Sequence, residues 1–273
     1  MNEVILIKSP WKKLFINLLN SSKRKIYLAC PFIKQQTANI IINNVDRNVE
    51  IKYIHSFKLA NFHRGVSDIN ALKIFYEHKI KQKNVYNLHA KFFIFDDKAI
   101  ITSANLTPGG LRNNLEYGVL LKGQIVNSVV NDYLNIFNNS EYPFINLEIL
   151  KEAEKILQSI PKEKSKKELK LSDKQLFLEI LNDENVDERF NGGVDVILNN
   201  LSSWKKDVFE CLLKIDNDVF NLEEVYKFEK SLRKLHPENK TIKPKIRQQL
   251  QYLRDLGLLE FIKPGIYKKL WKQ

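Results

Sequence analysis

Residues 87–121, NLHAKFFIFDDKAIITSANLTPGGLRNNLEYGVLL, concentrate the side chains that phosphodiester chemistry needs. The segment contains His89-x-Lys91-x-x-x-x-Asp96, then Thr102-Ser103-Ala104-Asn105, then Glu116. An imidazole such as His89 attacks phosphorus and forms a covalent phosphohistidine, replacing one hard displacement with two easier ones. The Lys91 ammonium and the Asn105 amide are fixed donors for the non-bridging oxygens, where charge concentrates in the transition state. Glu116 is expected to accept a hydrogen bond from the second nitrogen of His89, fixing its tautomer and stabilising the imidazolium. Such a set of protein donors takes the place of a metal's charge, so the reading calls for no divalent ion and no cofactor. A solitary His-x-Lys on a strand is usually decoration. Asp96, the Ser-Ala-Asn element and Glu116 in one short segment give it meaning.

These side chains need strands to present them. Residues 90–96 and 99–104 have the composition of two adjacent strands, and alternation predicts His89, Lys91, Phe93 and Phe95 on one face of the first. Phe93 and Phe95 then enter the core while His89 and Lys91 reach an open end, and Ser103 and Asn105 share a face of the second strand. Further strands are expected at 25–32, 49–57 and 116–123, with helical spacing at 10–22, 35–45 and 67–80. Strands alternating with helices predict an α/β domain, a mixed sheet layered with helices, over residues 1–148.

From residue 149 to 206 the chain reads as a helical linker region rich in lysine and glutamate, broken at Pro161, with a helix expected at 173–182 and a turn at 191–193. Residues 207–273 have a different rhythm: helices at 207–215, 222–236 and 243–257, then the short hairpin LLEFI-KPG-IYKKL. Three helices closed by a two-stranded wing describe a winged helix, whose third helix enters the DNA major groove. That helix carries Lys243, Lys245, Arg247, Gln248, Gln251 and Arg254. Lysine and arginine suit phosphates or guanine, and glutamine suits adenine edges.

The net charge of +12 favours a polyanionic partner. The basic excess is +8 over residues 1–150, zero over 151–206 and +4 over 207–273, so both ends are basic. No stretch approaches the roughly 20 apolar residues that span a bilayer, and the first residues lack the pattern of a signal peptide, so a cytoplasmic protein without membrane association is expected. Cys30 and Cys211 are too far apart in sequence to suggest a zinc site, and both are expected to be buried and reduced.

The His89 to Glu116 pattern resembles the phospholipase D superfamily, whose signature is H-x-K-x-x-x-x-D followed by a G-S-x-N-like element and a downstream acid. The resemblance implies that His89 is the nucleophile, that Lys91 and Asn105 bind phosphate with help from Ser103, and that Glu116 orients the histidine. It assigns Asp96 a supporting structural role. Thr102 stands where that family usually has glycine, and the spacing from Asp96 to Ser103 is one residue shorter than usual. The last 65 or so residues resemble the winged-helix domain of methyladenine-directed restriction enzymes of the Dpn and Dam-replacing type, which brings Trp271 and Tyr267 into view as residues that stack on a base or close the core.

The reaction also needs a general acid for the leaving oxygen. None of His55, His63, His78 and His236 is followed two residues later by lysine, so the chain has one His-x-Lys motif. A homodimer pairing two copies of His89 across a two-fold axis completes the site. The expected function is therefore metal-independent, site-specific cleavage of double-stranded DNA, of the type II restriction kind. The alternatives are a non-specific DNA or RNA nuclease, a phospholipid or headgroup phosphodiesterase, and a DNA-binding regulator with an idle catalytic domain.

Overall fold

The computed structural model describes residues 2–160, 190 and 193–271. The helix expected at 173–182 and the first two residues of the 191–193 turn lie outside them. The chain divides into two compact units, Met1–Ala153 and Glu154–Gln273.

The first unit runs β1 (Glu3–Lys8), α1 (Lys12–Ser21), β2 (Lys25–Ala29), α2 (Gln35–Asn43), β3 (Glu50–His55), α3 (Leu59–His63), α4 (Ile69–Glu77), β4 (Lys81–Asn84), β5 (Phe92–Phe95), β6 (Lys98–Thr102), β7 (Tyr117–Lys122) and α5 (Ile125–Asn138), followed by α6 (Leu147–Ser159). Its seven strands form a mixed sheet in the order β1-β7-β6-β5-β2-β3-β4. The pairs β2–β3 and β3–β4 are parallel and the others antiparallel.

Alternation sorts β5 between two cores. Phe93 and Phe95 face α1, where Trp11 stacks on Phe93 at 6.1 Å and Phe15 meets Phe95 edge-on at 5.9 Å. Phe92 and Ile94 face α5, whose Val126, Val130, Tyr133 and Phe137 recur at helical spacing and are buried against the sheet.

Two strands depart from the expectations for instructive reasons. β4 has the sequence KQKN, with no apolar residue, yet Gln82, Lys83 and Asn84 are buried. Each has partners distant in sequence: Gln82 Nε2 donates to Leu72 O at 2.9 Å, Lys83 Nζ to Asn139 O and Tyr142 O at 2.8 and 2.6 Å, and Asn84 Oδ1 accepts from Phe57 N at 2.8 Å. Hydrogen bonding replaces apolar patterning as the reason for burial. β1 exists through its pairing with β7, more than 100 residues later.

The hairpin between β5 and β6 turns on Asp96 and Asp97, with Asp96 at φ 52. Its carboxylate accepts hydrogen bonds from the amides of Lys23, Arg24 and Lys25 at 2.7, 3.0 and 2.9 Å, tying the hairpin to the start of β2. Burial would raise this carboxyl, but the three amides outweigh it and hold the pKa below the ordinary value of 3.8. The stabilisation is therefore complete above the unfolded-state value and is lost as pH falls through the depressed folded-state one. Asp96→Asn tolerates the turn but lacks the charge, and is expected to lower stability by about 1–3 kcal/mol at neutral pH. Urea denaturation from pH 7 to pH 2 should show the two proteins converging at the acid end; a constant gap would contradict this account.

The second unit contains α7 (Val194–Asn200), α8 (Ser203–Leu213), β8 (Val219–Asn221), α9 (Leu222–Tyr226), α10 (Glu229–Leu235), α11 (Ile242–Asp255), β9 (Leu259–Lys263) and β10 (Ile266–Lys269). A capping box starts α9, with Glu224 N donating to Asn221 Oδ1 at 3.1 Å and Asn221 N to Glu224 Oε2 at 2.8 Å. The single helix expected over 222–236 is two helices, because Lys227 and Phe228 join α9 to α10 with Phe228 at ψ 4; neither glycine nor proline marks the break. The wing has three strands rather than two, in the order β8-β10-β9. β8 is three residues long, too short to show an alternating pattern. α11 buries Ile242, Ile246, Leu250 and Leu253 along one stripe.

Candidate active site and nucleic-acid interface

The antiparallel β5–β6 ladder ends at the pair Phe92–Ile101. His89 and Lys91 lie just before β5, and Ser103 and Asn105 just after β6, so the expected strand positions are corrected to loop positions at one end of the sheet. The reason is local: the chain approaches β5 through an irregular segment from β4, and only one further bond, Thr102 N to Lys91 O at 3.0 Å, continues the ladder. The alternation argument nevertheless places Phe93 correctly in the core.

His89 is exposed, and Lys91 is 8% exposed. Lys91 Nζ donates to His89 O at 2.6 Å, so the ammonium lies against the backbone of His89. Burial lowers the Lys91 pKa from its usual value, with Cys30 and Glu116 acting in the opposite direction. A partly desolvated ammonium with few competing waters interacts strongly with a phosphoryl group.

Glu116 does not bond His89 as expected. Its Oε2 accepts from Ser103 Oγ, and its Oε1 accepts from Asn114 Nδ2 at 3.2 Å. The loop before β7 determines this orientation: Glu116 N donates to Ser9 Oγ at 2.6 Å and Ser9 N to Glu116 O at 3.0 Å, pinning residue 116 to the chain entering α1. Ser103 is clamped in turn, donating its amide to Tyr117 O at 2.9 Å and accepting from Tyr117 N at 3.2 Å. The Asn105 carboxamide packs on Cys30, with Sγ to Oδ1 at 3.4 Å. A cavity of about 740 Å³ opens beside His89, Lys91 and Ser103, walled by Phe92, Ile101 and Val129.

The other histidines are placed differently. His55 is buried, stacks on Tyr53 at 5.0 Å and is pushed down to about 3 by burial, which keeps it neutral. His78 bonds Ile74 O at 2.8 Å, and His236 pairs with Asp207 at 2.6 Å. Both cysteines are free and buried. Among the described residues no helix is long and apolar enough to cross a membrane, and no group of three or more His, Cys, Asp or Glu is arranged around a common point.

On α11 the six side chains singled out from the sequence differ in availability. Lys243, Arg247, Gln248 and Gln251 are exposed. Lys243 lies over the Tyr226 ring at 4.8 Å, and Arg247 Nη1 donates to Tyr226 Oη at 3.1 Å, so Tyr226 of α9 organises both cations. Lys245 Nζ donates to Gln248 Oε1 at 2.8 Å. Arg254 is half-buried in an ion pair with Asp255 at 2.7 Å, and its charge is compensated there. Trp271 and Tyr267 close the core, Trp271 against Phe209 at 4.7 Å and Tyr267 stacked on Phe220 at 5.8 Å.

Sequence reasoning missed Ser9, Cys30, Gly110 and Tyr226. Only Gly110, in the Pro-Gly-Gly of residues 108–110, carried a visible signal.

Two family models match separate parts of the chain. Residues 15–140 match the family model described as a cardiolipin synthase, phospholipase D-like domain, and residues 200–269 match that of the Dam-replacing helix-turn-helix domain. Among solved structures the chain is similar to Nuc, a phospholipase D family member from Salmonella typhimurium, at 18% identity over 54% of this chain and 99% of that one, with a TM-score of 0.46. It is similar to NucT from Helicobacter pylori at 18% identity over 50% and 96%, with a TM-score of 0.40. Phosphatidylserine synthase from Haemophilus influenzae Rd KW20 matches at 17% identity over 68% and 47%, with a TM-score of 0.44. The chain thus joins a phospholipase D-like domain to a C-terminal Dam-replacing helix-turn-helix domain.

Proposed function

We propose that this protein is a site-specific DNA endonuclease that hydrolyses phosphodiesters through a phosphohistidine on His89 and needs no metal ion. The observation that carries the reading is the grouping of exposed His89, buried Lys91 and the Ser103–Glu116 pair at one sheet end, in a chain that also carries a Dam-replacing helix-turn-helix domain. Residues 1–148 act as the catalytic domain, 149–206 as the connection and 207–273 as the DNA reader.

In the first step an imidazole nitrogen of His89 forms a bond to phosphorus as the bond from phosphorus to the leaving oxygen breaks. A second histidine gives its proton to that oxygen. In the second step the same histidine takes a proton from water, whose oxygen displaces His89 from phosphorus. Lys91 and Asn105 hold the non-bridging oxygens throughout.

The second histidine is His89 of the partner subunit in a two-fold dimer. Leu6, Val119, Ile101 and Phe92 form a cross-strand row over β1, β7, β6 and β5 on the α5 side of the sheet. Leu6 is 73% exposed, and Ile101 and the nearby Tyr117 are also open. An apolar row ending beside the nucleophile suits a second copy of the same surface. One shared centre cuts one strand per event, so a double-strand break requires two reactions.

The test is incubation of the protein with methylated and unmethylated genomic DNA in excess EDTA, followed by sequencing of the fragment ends. Discrete fragments sharing an end sequence are expected. A smear would replace the reading with a non-specific nuclease, and cutting that appears only on adding magnesium would overturn the phosphohistidine mechanism.

A further inference from the structure

Cys30 directly follows β2 and is fully buried, and no step above uses it. Its sulfur sits 3.2 Å from Phe32 O and 3.4 Å from Asn105 Oδ1, and accepts a hydrogen bond from Leu106 N at 3.3 Å. The two segments it lies between are stitched together: Ile33 bridges Leu106, and Lys34 N donates to Leu106 O at 3.0 Å. On another side Asn105 is hemmed in by Gly110, where a Cβ would lie 2.3 Å from Asn105 O. Backbone and carboxamide of Asn105 are thus each packed against a residue from outside β6 and its following Ser103–Asn105 segment.

We propose that Cys30 is a positioning residue for Asn105: its single thiol proton lies between Phe32 O at 3.2 Å and the carboxamide oxygen at 3.4 Å, and its share in the second contact keeps that oxygen on the sulfur side so that the two amide N–H groups are presented to the substrate phosphate. This rests on the reading of Asn105 as a phosphate donor. A carboxamide has two nearly isosteric orientations, and the reversed one would aim an oxygen lone pair at a phosphoryl oxygen. A thiol biases that choice without bringing charge into the site. Burial pushes the Cys30 thiol up to about 12, so it stays protonated across the working range; a thiolate there would repel both the carboxamide oxygen and the phosphate. Sulfur is a weak donor, so the bias calls for an effect smaller than loss of Asn105 itself.

The experiment is a double-mutant cycle in the full chain, with wild type, Cys30→Ala, Asn105→Ala and the double variant acting on bis(4-nitrophenyl) phosphate and on plasmid DNA. Cys30→Ala is expected to lower kcat about tenfold with KM within about twofold, Cys30→Ser to recover most of that loss, and Cys30→Ala to add nothing in the Asn105→Ala background. An equal loss in both backgrounds, tracking the melting temperature, would mean that Cys30 only fills space and would overturn the proposal. A readout free of turnover is the side-chain amide resonance pair of Asn105 in 15N-labelled protein, identified by its disappearance in Asn105→Ala. That pair is expected to shift in Cys30→Ala, and an unmoved pair would overturn the proposal. If wild type turns over neither substrate, the hydrolytic reading fails, while the amide resonances still decide the role of Cys30.

Discussion

His89→Ala is expected to lower the DNA cleavage rate by about 10⁴-fold or more while leaving DNA affinity within about twofold. The imidazole is exposed, and the described structure gives its ring no hydrogen-bond partner, so removing it disturbs little besides the chemistry. Lys91 and Asn105 remain to hold phosphate, but no group is left to form the covalent intermediate. The α11 side chains proposed to read DNA belong to the other compact unit and are untouched. Initial rates on a supercoiled plasmid and fluorescence anisotropy on a labelled duplex measure the two quantities. Substantial cleavage by the variant would sink the mechanism. Mixing the variant with wild type extends the test to the dimer: if each site needs both copies of His89, activity falls with the square of the wild-type fraction, whereas a self-sufficient subunit gives a linear fall.

Gly110→Ala is expected to reduce cleavage by about 10²–10³-fold, comparable to losing one oxyanion-type donor. The added Cβ would lie 2.3 Å from Asn105 O and 2.8 Å from Asn105 N, distances at which backbone must move. Trp11 Nε1 donates to Gly110 O at 2.9 Å and Trp11 N to Leu111 O at 3.2 Å, so the turn is held from behind and Asn105 is the part that yields. Forcing a methyl into a closed contact also costs about 1–3 kcal/mol of stability. The neighbouring Gly109 is the control: a Cβ there meets only the Asn114 side chain, at 3.2 Å, which can give way at the cost of its bond to Glu116 Oε1 without moving backbone. Gly109→Ala is expected to lose less than about tenfold. Equal effects at the two glycines, measured by steady-state kinetics beside thermal melts, would show that contact with Asn105 is not what matters.

The site was legible where chemistry is carried by residue type and short spacing. His89, Lys91, Ser103 and Asn105 meet at one sheet end because two strands joined by a two-residue turn must bring their outer ends together, a consequence of ladder geometry, whereas Glu116 joins them from the loop before β7. The supporting role of Asp96 was implied by the resemblance alone, and its turn conformation at φ 52, which Asp tolerates, came from the structure. The six polar positions of α11 were readable as a basic face, but the ion pair that compensates Arg254 was not.

By itself, then, the sequence determined that His89, Lys91, Ser103 and Asn105 lie close together, that a phospholipase D-like part precedes a helix-turn-helix part, and which helix carries the basic face, because periodicity and spacing are local properties. Tertiary structure alone decided that KQKN is a buried strand, that Glu116, with its backbone pinned to Ser9, meets Ser103 instead of His89, and that Cys30 and Gly110 lie against Asn105. Each of these depends on partners far along the chain, such as Ser9 and Glu116 at 107 residues apart, and no local pattern encodes which distant donor a buried polar group will meet.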